Sequence, residues 1–260
     1  MNPNEAIQKI IAAHGGEKFW NSLTALEAEI SASGLLFMFK RRPVLDHVKV
    51  TAYAHEPRFE FHDFPSPGLT GELLGDSEVR IISDQGEIVR QRDNPRSAFK
   101  SLSRLLSWDD LDFIYFGGYA TWNYLAAPFI FLRPGFNFEM LAPIRVSSSS
   151  WFRLKVTMPD DLPTHSREQI FYFDENWHLR RLDYVAEVVG GWAHAAHFCE
   201  NYQDFNGFKA PTRRRVRPIL FADKPLPGPI LVALDIHGIR PVVGSKTRMG
   251  ESRGPAKRCG

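Results

Sequence analysis

The chain has 260 residues, of which 43% are hydrophobic and 24% are charged. These fractions are close to those of average globular proteins, and they exclude an intrinsically disordered chain and a coiled coil. Since no run of about 18 consecutive apolar residues is present, the sequence predicts no transmembrane helix. The length fits one all-β domain.

The net charge of +2 is unevenly distributed along the chain. Residues 240–260 carry a net charge of +5, and residues 1–239 carry −3. A nucleic-acid-binding surface needs basic residues clustered on the folded body, so we expect no nucleic-acid partner. The last segment also lacks a hydrophobic period, which predicts a folded domain over residues 1–239 and a basic disordered tail over residues 240–260.

The chain has two cysteines, Cys199 and Cys259, too few for a disulfide framework. The N-terminus lacks a basic stretch followed by an apolar stretch, so we predict no secretory signal peptide and a cytoplasmic location. The sequence neither indicates nor forbids contact with a membrane, and it leaves the oligomeric state open.

The first element is a short amphipathic helix over residues 4–13, which ends at Gly15 and Gly16. Between residues 26 and 64 apolar and polar residues alternate, as is typical of half-buried antiparallel strands. Strands continue to about residue 92. A helix is then predicted over residues 97–106.

A second central helix begins after Ser107 to Asp110 and runs to about Ala127. Aromatic residues fall around most of its circumference, so it is either buried or covers an apolar cavity. Gly117 and Gly118 each destabilise a helix by about 1 kcal/mol, and we expect them to allow close approach to a sheet or a ligand. From residue 136 to residue 239 the pattern returns to strands.

The order of one helix, several strands, a central helical pair and a strand meander resembles the LolA-like lipoprotein-carrier fold. More closely, the strings YFGGYATWNYLAAPF (115–129) and LRRLDYVAEVVGGWAHAAHF (179–198), followed by DFNGFKAPTRRRV (204–216), resemble a group of uncharacterised bacterial proteins. The resemblance implies a mainly β (α+β) fold, an antiparallel half-barrel sheet wrapped around the helices. In that fold the half-barrel holds an acyl chain.

Two turns in the last meander predict a strand register. A two-residue loop at Gly190-Gly191 places Tyr184 opposite His197, and one at Asn206-Gly207 places Cys199 opposite Arg214. One face of this sheet then carries paired charges and faces solvent. The other carries small apolar side chains, and four polar residues stand among them: Arg180, Tyr184, His197 and Arg214.

The face of small side chains, opposite a large aromatic helix, predicts a ligand cavity capped by Tyr119 and Trp122. The alternative is that the helix aromatics fill this space completely. A buried guanidinium costs several kcal/mol unless it is paired, so Arg214 or Arg180 would bind a carboxylate-bearing ligand. An internal acid, Asp112 or Glu139, is the competing partner.

The sequence lacks the motifs of metal, nucleotide and catalytic sites. His194 and His197 are three residues apart, a spacing that puts them on opposite faces of a strand, so no metal site is predicted. A phosphate-binding loop, a nucleophile elbow and a CxxC pair are all absent, and no cofactor is predicted.

The leading hypothesis is binding of a hydrophobic small molecule or lipid, including one with an anionic head group, without a reaction. The alternative is an isomerase, lyase or hydrolase in the same cavity. In that enzyme His197 would be the general acid or base and Tyr184 a hydrogen-bond donor. The candidate ligand-binding residues are Arg180, Tyr184, His197, Arg214, Tyr119 and Trp122.

Overall fold

The computed structural model describes residues 1–220 and 224–244, and the following elements belong to that part of the chain. The α-helices are α1 (Pro3–Ala13), α2 (Glu17–Trp20), α3 (Leu35–Phe39), α4 (Pro95–Ala98), α5 (Ser103–Leu106) and α6 (Asp110–Ala126), and Phe129–Leu132 forms one 3-10 turn. The strands of the first half are β1 (Leu23–Ser33), β2 (Leu45–Tyr53), β3 (Arg58–His62), β4 (Leu69–Leu74), β5 (Glu78–Ser83) and β6 (Ile88–Asp93). Those of the second half are β7 (Asn137–Val146), β8 (Ser149–Thr157), β9 (Glu168–Phe173), β10 (Leu179–Val185), β11 (His194–Phe205), β12 (Phe208–Pro218) and β13 (Val232–Val243).

All 13 strands form one antiparallel sheet in the order β6-β5-β4-β3-β2-β1-β13-β12-β11-β10-β9-β8-β7. The two halves are meanders in chain order, and the pairing of β1 with β13 joins them in the middle of the sheet. Within the described residues β6 and β7 are its two edges, so the sheet stays open. This arrangement is the mainly β half-barrel that the sequence predicts.

The central helix α6 packs against β2, β3, β4 and β5 on the inner side of the sheet. Asp109 caps its N-terminus by accepting a hydrogen bond from the Asp112 backbone N–H, and the Asp112 side chain accepts one from the Asp109 backbone N–H. A Cβ on Gly118 would lie 3.1 Å from the Leu73 side chain, and one on Gly117 would lie 3.1 Å from Phe61. The glycines therefore serve close approach to the sheet, the first of the two expected roles.

The other predicted central helix is corrected by the structure. Residues 97–106 do not form one helix; α4 and α5 are single turns separated by residues 99–102. Phe99 leaves the helical path to pack against Trp108 and Tyr115. The Ser101 and Ser103 hydroxyls bond each other where the chain passes from the break into α5.

One of the two predicted hairpin registers is confirmed and the other is wrong. Cys199 pairs with Arg214, as the Asn206-Gly207 turn predicts. His197, however, pairs with Leu182, and Tyr184 pairs with Ala195. Because residues 186–193 form a compact loop instead of extending both strands to Gly190-Gly191, the register shifts by two residues and each side chain keeps its face.

The last strand continues beyond the predicted domain boundary at residue 239. β13 runs to Val243, and Val243, Val242 and Pro241 pair with the start of β1. Residues 240–243 therefore belong to the sheet, since their backbone groups complete the ladder of the N-terminal strand. The rest of the predicted tail, with Cys259, lies outside the described residues.

This pairing generates a prediction for two truncated chains. A chain that ends at Ile239 should melt several °C below a chain that ends at Gly244, because it loses the ladder between β13 and the start of β1. For a protein of this size about 1 kcal/mol corresponds to roughly 2–4 °C. Differential scanning calorimetry of both chains measures the difference, and equal melting temperatures would contradict a structural role for residues 240–243.

Candidate functional site

The inner side of the sheet holds an apolar cavity of about 640 Å³. Its wall on the sheet is formed by the side chains of Tyr184, Ala195, Val216 and Val232, which lie on β10, β11, β12 and β13. Phe116 of α6 faces them across the space. The cavity exists because α6 packs mainly against β2 to β5, and small side chains on the other half of the sheet leave room that the helix does not fill.

The rim of the cavity is built from α3, α5 and the loop of residues 186–193. Lys40, at the C-terminal end of α3, is 4% exposed, and its ammonium donates to the carbonyl oxygens of Arg104 and Leu105 at 2.9 and 3.0 Å. Burial lowers the pKa of Lys40. This one side chain therefore ties the two rim helices together through charge-assisted hydrogen bonds.

The start of α3 is joined to the segment before β13. The backbone N–H groups of Leu35 and Leu36 donate to the carbonyl oxygens of Ile230 and Leu231. Gly34 precedes them with a φ of 130°, and a Cβ there would lie 2.4 Å from the Leu231 carbonyl oxygen. Only glycine fits this approach, which sets the position of α3 over the sheet.

The floor of the cavity is a chain of hydrogen-bonded rings around His165. The Nδ1 atom of His165 lies 3.2 Å from the Tyr119 hydroxyl, and its Nε2 atom lies 2.7 Å from the Tyr124 hydroxyl. The Tyr124 hydroxyl is in turn 3.2 Å from that of Tyr184. The rings of His165 and Tyr184 stack with their centroids 4.0 Å apart, and both residues line the cavity.

His165 belongs to the irregular segment between β8 and β9, and two side chains hold this segment in place. Asn123 of α6 donates to the Pro163 carbonyl oxygen at 2.8 Å. Arg96 of α4 donates to the Thr164 carbonyl oxygen at 2.9 Å and to the Glu187 carboxylate at 2.6 Å. The floor is therefore positioned by side chains from α4 and α6.

Burial keeps the rings of the floor uncharged. Desolvation, with a smaller contribution from the nearby Arg96, lowers the pKa of His165 to about 3. Desolvation also raises the pKa of Tyr119 and Tyr184 well above the usual value of a phenol, and it raises that of Tyr124. At neutral pH the floor offers neutral hydrogen-bonding groups and no charge.

The structure brings two of the predicted site residues to the cavity or its floor. Tyr184 lines the cavity, and Tyr119 belongs to the floor through His165. Trp122 does not cap the cavity. It is completely buried, does not line it, and its indole N–H donates to the Tyr53 carbonyl oxygen of β2 at 2.8 Å. Trp122 is therefore part of the packed interface between α6 and the sheet.

Arg214 is buried but stands behind the floor. Its guanidinium donates to the Tyr124 carbonyl oxygen at 2.6 Å and stacks over the Tyr124 ring. Within residues 1–220 and 224–244 no carboxylate pairs with it. Asp112, the competing partner suggested by the sequence, instead bonds Arg92 and Arg104 at the N-terminus of α6.

Arg180 is not part of the cavity wall. A register shift between Leu179 and Arg181 places both Leu179 and Leu182 inside, so the alternation predicted for β10 fails at Arg180. Its guanidinium is half-buried and lies 3.9 Å from Asp174.

His197 is completely buried and does not line the cavity. Its ring packs edge-on against the Tyr124 ring, with the ring centroids 4.3 Å apart. Neither ring nitrogen has a hydrogen-bond partner in the described part of the chain. Desolvation, with the nearby Arg214, lowers its pKa well below the usual value. His194, three residues earlier, is exposed, so the two histidines occupy opposite faces of β11, as their spacing predicts.

Sequence reasoning missed His165, which stands in the centre of the floor. It lies in a segment without hydrophobic period, and its partners Tyr119 and Tyr124 are 46 and 41 residues away along the chain. No local signal marks it, because only the folding of this segment over α6 brings the groups together.

The described part of the chain lacks two further kinds of feature. No cluster of three or more His, Cys, Asp or Glu side chains with the arrangement of a metal site occurs among them. None of their helices is long and apolar enough to cross a membrane.

The neutral buried histidines generate a prediction for the pH dependence of stability. Burial lowers the pKa of His14 to about 4 and that of His165 to about 3, against about 6.5 in the unfolded chain. Below pH 6.5 the unfolded chain therefore binds more protons than the folded protein. Stability should be full above that pH and fall as the pH decreases toward 4, by up to about 1.4 kcal/mol per pH unit for each such histidine.

Urea unfolding at pH 7 and pH 5 measures this fall. His165→Gln should reduce the pH dependence by the contribution of one histidine, whatever its effect on stability at pH 7. Equal free energies of unfolding at the two pH values would show that these rings are protonated in the folded protein.

Comparison with known proteins rests on structure, since no known protein family and no curated protein matches the sequence. A LolA superfamily protein from Nitrosomonas europaea superposes with a TM-score of 0.50 and 10% identity, over 92% of this chain and 93% of the other. A DUF1329 family protein from Desulfovibrio piger superposes with a TM-score of 0.50 and 12% identity, over 94% and 95%. The chain therefore has a LolA-like fold.

Proposed function

We propose that the protein binds a hydrophobic small molecule or lipid in the cavity between α6 and strands β10 to β13. The observation that carries this proposal is the cavity itself, whose volume of about 640 Å³ lies within the range of small-molecule sites. Its wall consists of apolar side chains, with a few polar groups gathered on the floor. The similarity to a LolA superfamily protein supports the same class of ligand.

The floor indicates what the polar end of the ligand presents. Three hydroxyl hydrogens and one imidazole hydrogen are shared among the three contacts of Tyr119, His165, Tyr124 and Tyr184. Since each contact uses one hydrogen, one of the four is left without an acceptor within this chain. Tyr184 is the end that lines the cavity, so a hydrogen-bond acceptor on the ligand would complete the chain there.

The same geometry favours an uncharged acceptor over the carboxylate suggested by the sequence. Arg214 is engaged by Tyr124 and does not line the cavity. A carboxylate on the floor would lose its hydration without gaining an ion pair, which is costly. We therefore propose a carbonyl, ester or hydroxyl group next to Tyr184, with the apolar part of the ligand toward the rim.

The enzyme alternative has less support. A general acid or base must come within hydrogen-bond reach of the substrate, and His197 is completely buried outside the cavity wall. Its strongly lowered pKa also makes it a weak base near neutrality.

Filling the cavity should abolish binding without damaging the fold. Ala195→Leu adds its side chain to the cavity wall, so we expect the affinity for a fluorescent long-chain alcohol to fall at least tenfold with an unchanged melting temperature. Fluorescence titration and calorimetry on the same variant measure both quantities.

Ala52→Leu is the matched control, because Ala52 is buried in the core on β2 and does not line the cavity. It should destabilise the protein by about 1–3 kcal/mol through overpacking. If Ala195→Leu destabilises to the same extent, the space is not a ligand cavity and the proposal fails.

Removing the Tyr184 hydroxyl tests the position of the polar end. Tyr184→Phe should weaken binding of a long-chain alcohol or methyl ester about 2- to 10-fold, the value of one neutral hydrogen bond. It should leave binding of the corresponding alkane unchanged. His197→Gln, behind the wall, should change neither affinity, and a loss of binding in that variant would place His197 in the ligand site.

A further inference from the structure

The mouth of the cavity is surrounded by exposed apolar side chains from three separate segments. On α3, Met38 and Phe39 are each 63% exposed. Leu102, just before α5, is 81% exposed, Leu106 of α5 is 69% exposed, and Trp192 of the 186–193 loop is 75% exposed. Phe39, Leu106 and Trp192 also line the cavity, so the exposed surface is continuous with its interior. We call these five side chains the apolar rim.

The apolar rim is supported from below and does not arise from loose packing. Lys40 joins α3 to α5 through two hydrogen bonds. In the third segment the backbone N–H of Ala193 donates to the Gly190 carbonyl oxygen at 2.9 Å. A Cβ on Gly190 would lie 2.4 Å from the Trp192 indole nitrogen, so the loop fits this indole orientation only with glycine at that position. Clustered, rigidly held apolar groups of this kind mark an interaction site.

The charged side chains that line the cavity, among the described residues, are cationic. Arg41 lines the cavity, is exposed and pairs with no carboxylate in the described ranges. No Asp or Glu of residues 1–220 and 224–244 lines the cavity. The mouth therefore presents apolar and aromatic groups beside the exposed cation Arg41, which complements a surface that is apolar inside and anionic outside.

We propose that the apolar rim docks onto the surface of a bilayer containing anionic lipids, so that the cavity opens toward the acyl region. A membrane fits better than a protein partner because the rim comes from three segments at the mouth, and a bilayer can cover all three while supplying apolar molecules to the space inside. Transfer of a ligand through the mouth rests on the proposed function, whereas docking itself does not require an occupied cavity.

Flotation with phosphatidylcholine vesicles, with and without phosphatidylglycerol, tests the docking. The full chain should bind the anionic vesicles more tightly, and added salt should weaken the binding. Met38 and Leu102 belong to the rim but do not line the cavity, so Met38→Ser and Leu102→Ser should each lower the vesicle partition coefficient about tenfold while ligand affinity in solution is unchanged.

Two control variants lie at the other end of the sheet. Val243 is 60% exposed, comparable to Met38, and stands at the opposite end of β13 from Val232, which lines the cavity. Val243→Ser should not change vesicle binding. Arg41→Gln should lower binding to the anionic vesicles about fivefold, and Lys209→Gln, at the far end of β12, should not.

The outcomes separate this proposal from the proposed function. Vesicle binding without ligand binding would refute the cavity function and leave the docking in place. Absence of vesicle binding, or an equal loss in Val243→Ser, would overturn the docking. A dimer in sedimentation experiments that Met38→Ser dissociates, without vesicle binding, would also overturn it and assign the rim to a second copy of this chain.

Discussion

The structure depends on the burial of α6 against one half of an open sheet. From Leu111 to Ala126 the helix is buried on nearly every side, which a single helix–sheet interface cannot achieve. The segment with His165, the single turns α4 and α5, and the curved sheet therefore all pack around it. Because the helix is centred on β2 to β5, the other half of the sheet has to be covered by different parts, and the cavity lies where that cover is incomplete.

Charges are placed where they organise this helix without entering the cavity. Asp109 and Asp112 at its N-terminus bind Arg92 and Arg104, and the helix dipole favours carboxylates at that end. Arg92 comes from the edge strand β6 and Arg104 from α5, so one acidic helix end connects the sheet edge with the rim of the cavity. The polar groups that do face the cavity floor are neutral.

Because the floor is neutral and the mouth is cationic, the two ends of the cavity attract different chemical groups. A neutral acceptor on the ligand can bond Tyr184 at the bottom, whereas an anionic surface is attracted only to Arg41 at the entrance. Arg214, the buried cation nearest to the floor, is turned toward the Tyr124 carbonyl oxygen and ring. Its charge is therefore held behind the floor, and the groups of the floor itself stay uncharged.

The sequence by itself determined the strand meanders, the buried aromatic helix and the hairpin at Asn206-Gly207, because periodicity and turn residues are local properties. It also indicated a face of small residues, which is the wall of the cavity. Only the tertiary structure decided that His165 completes the floor, that Arg214 and His197 stand behind it, and that Trp122 packs against β2 instead. These outcomes depend on loop paths and on how α6 packs, and the position of Arg180 depends on a one-residue irregularity in β10; none of these leaves a trace in the hydrophobic pattern.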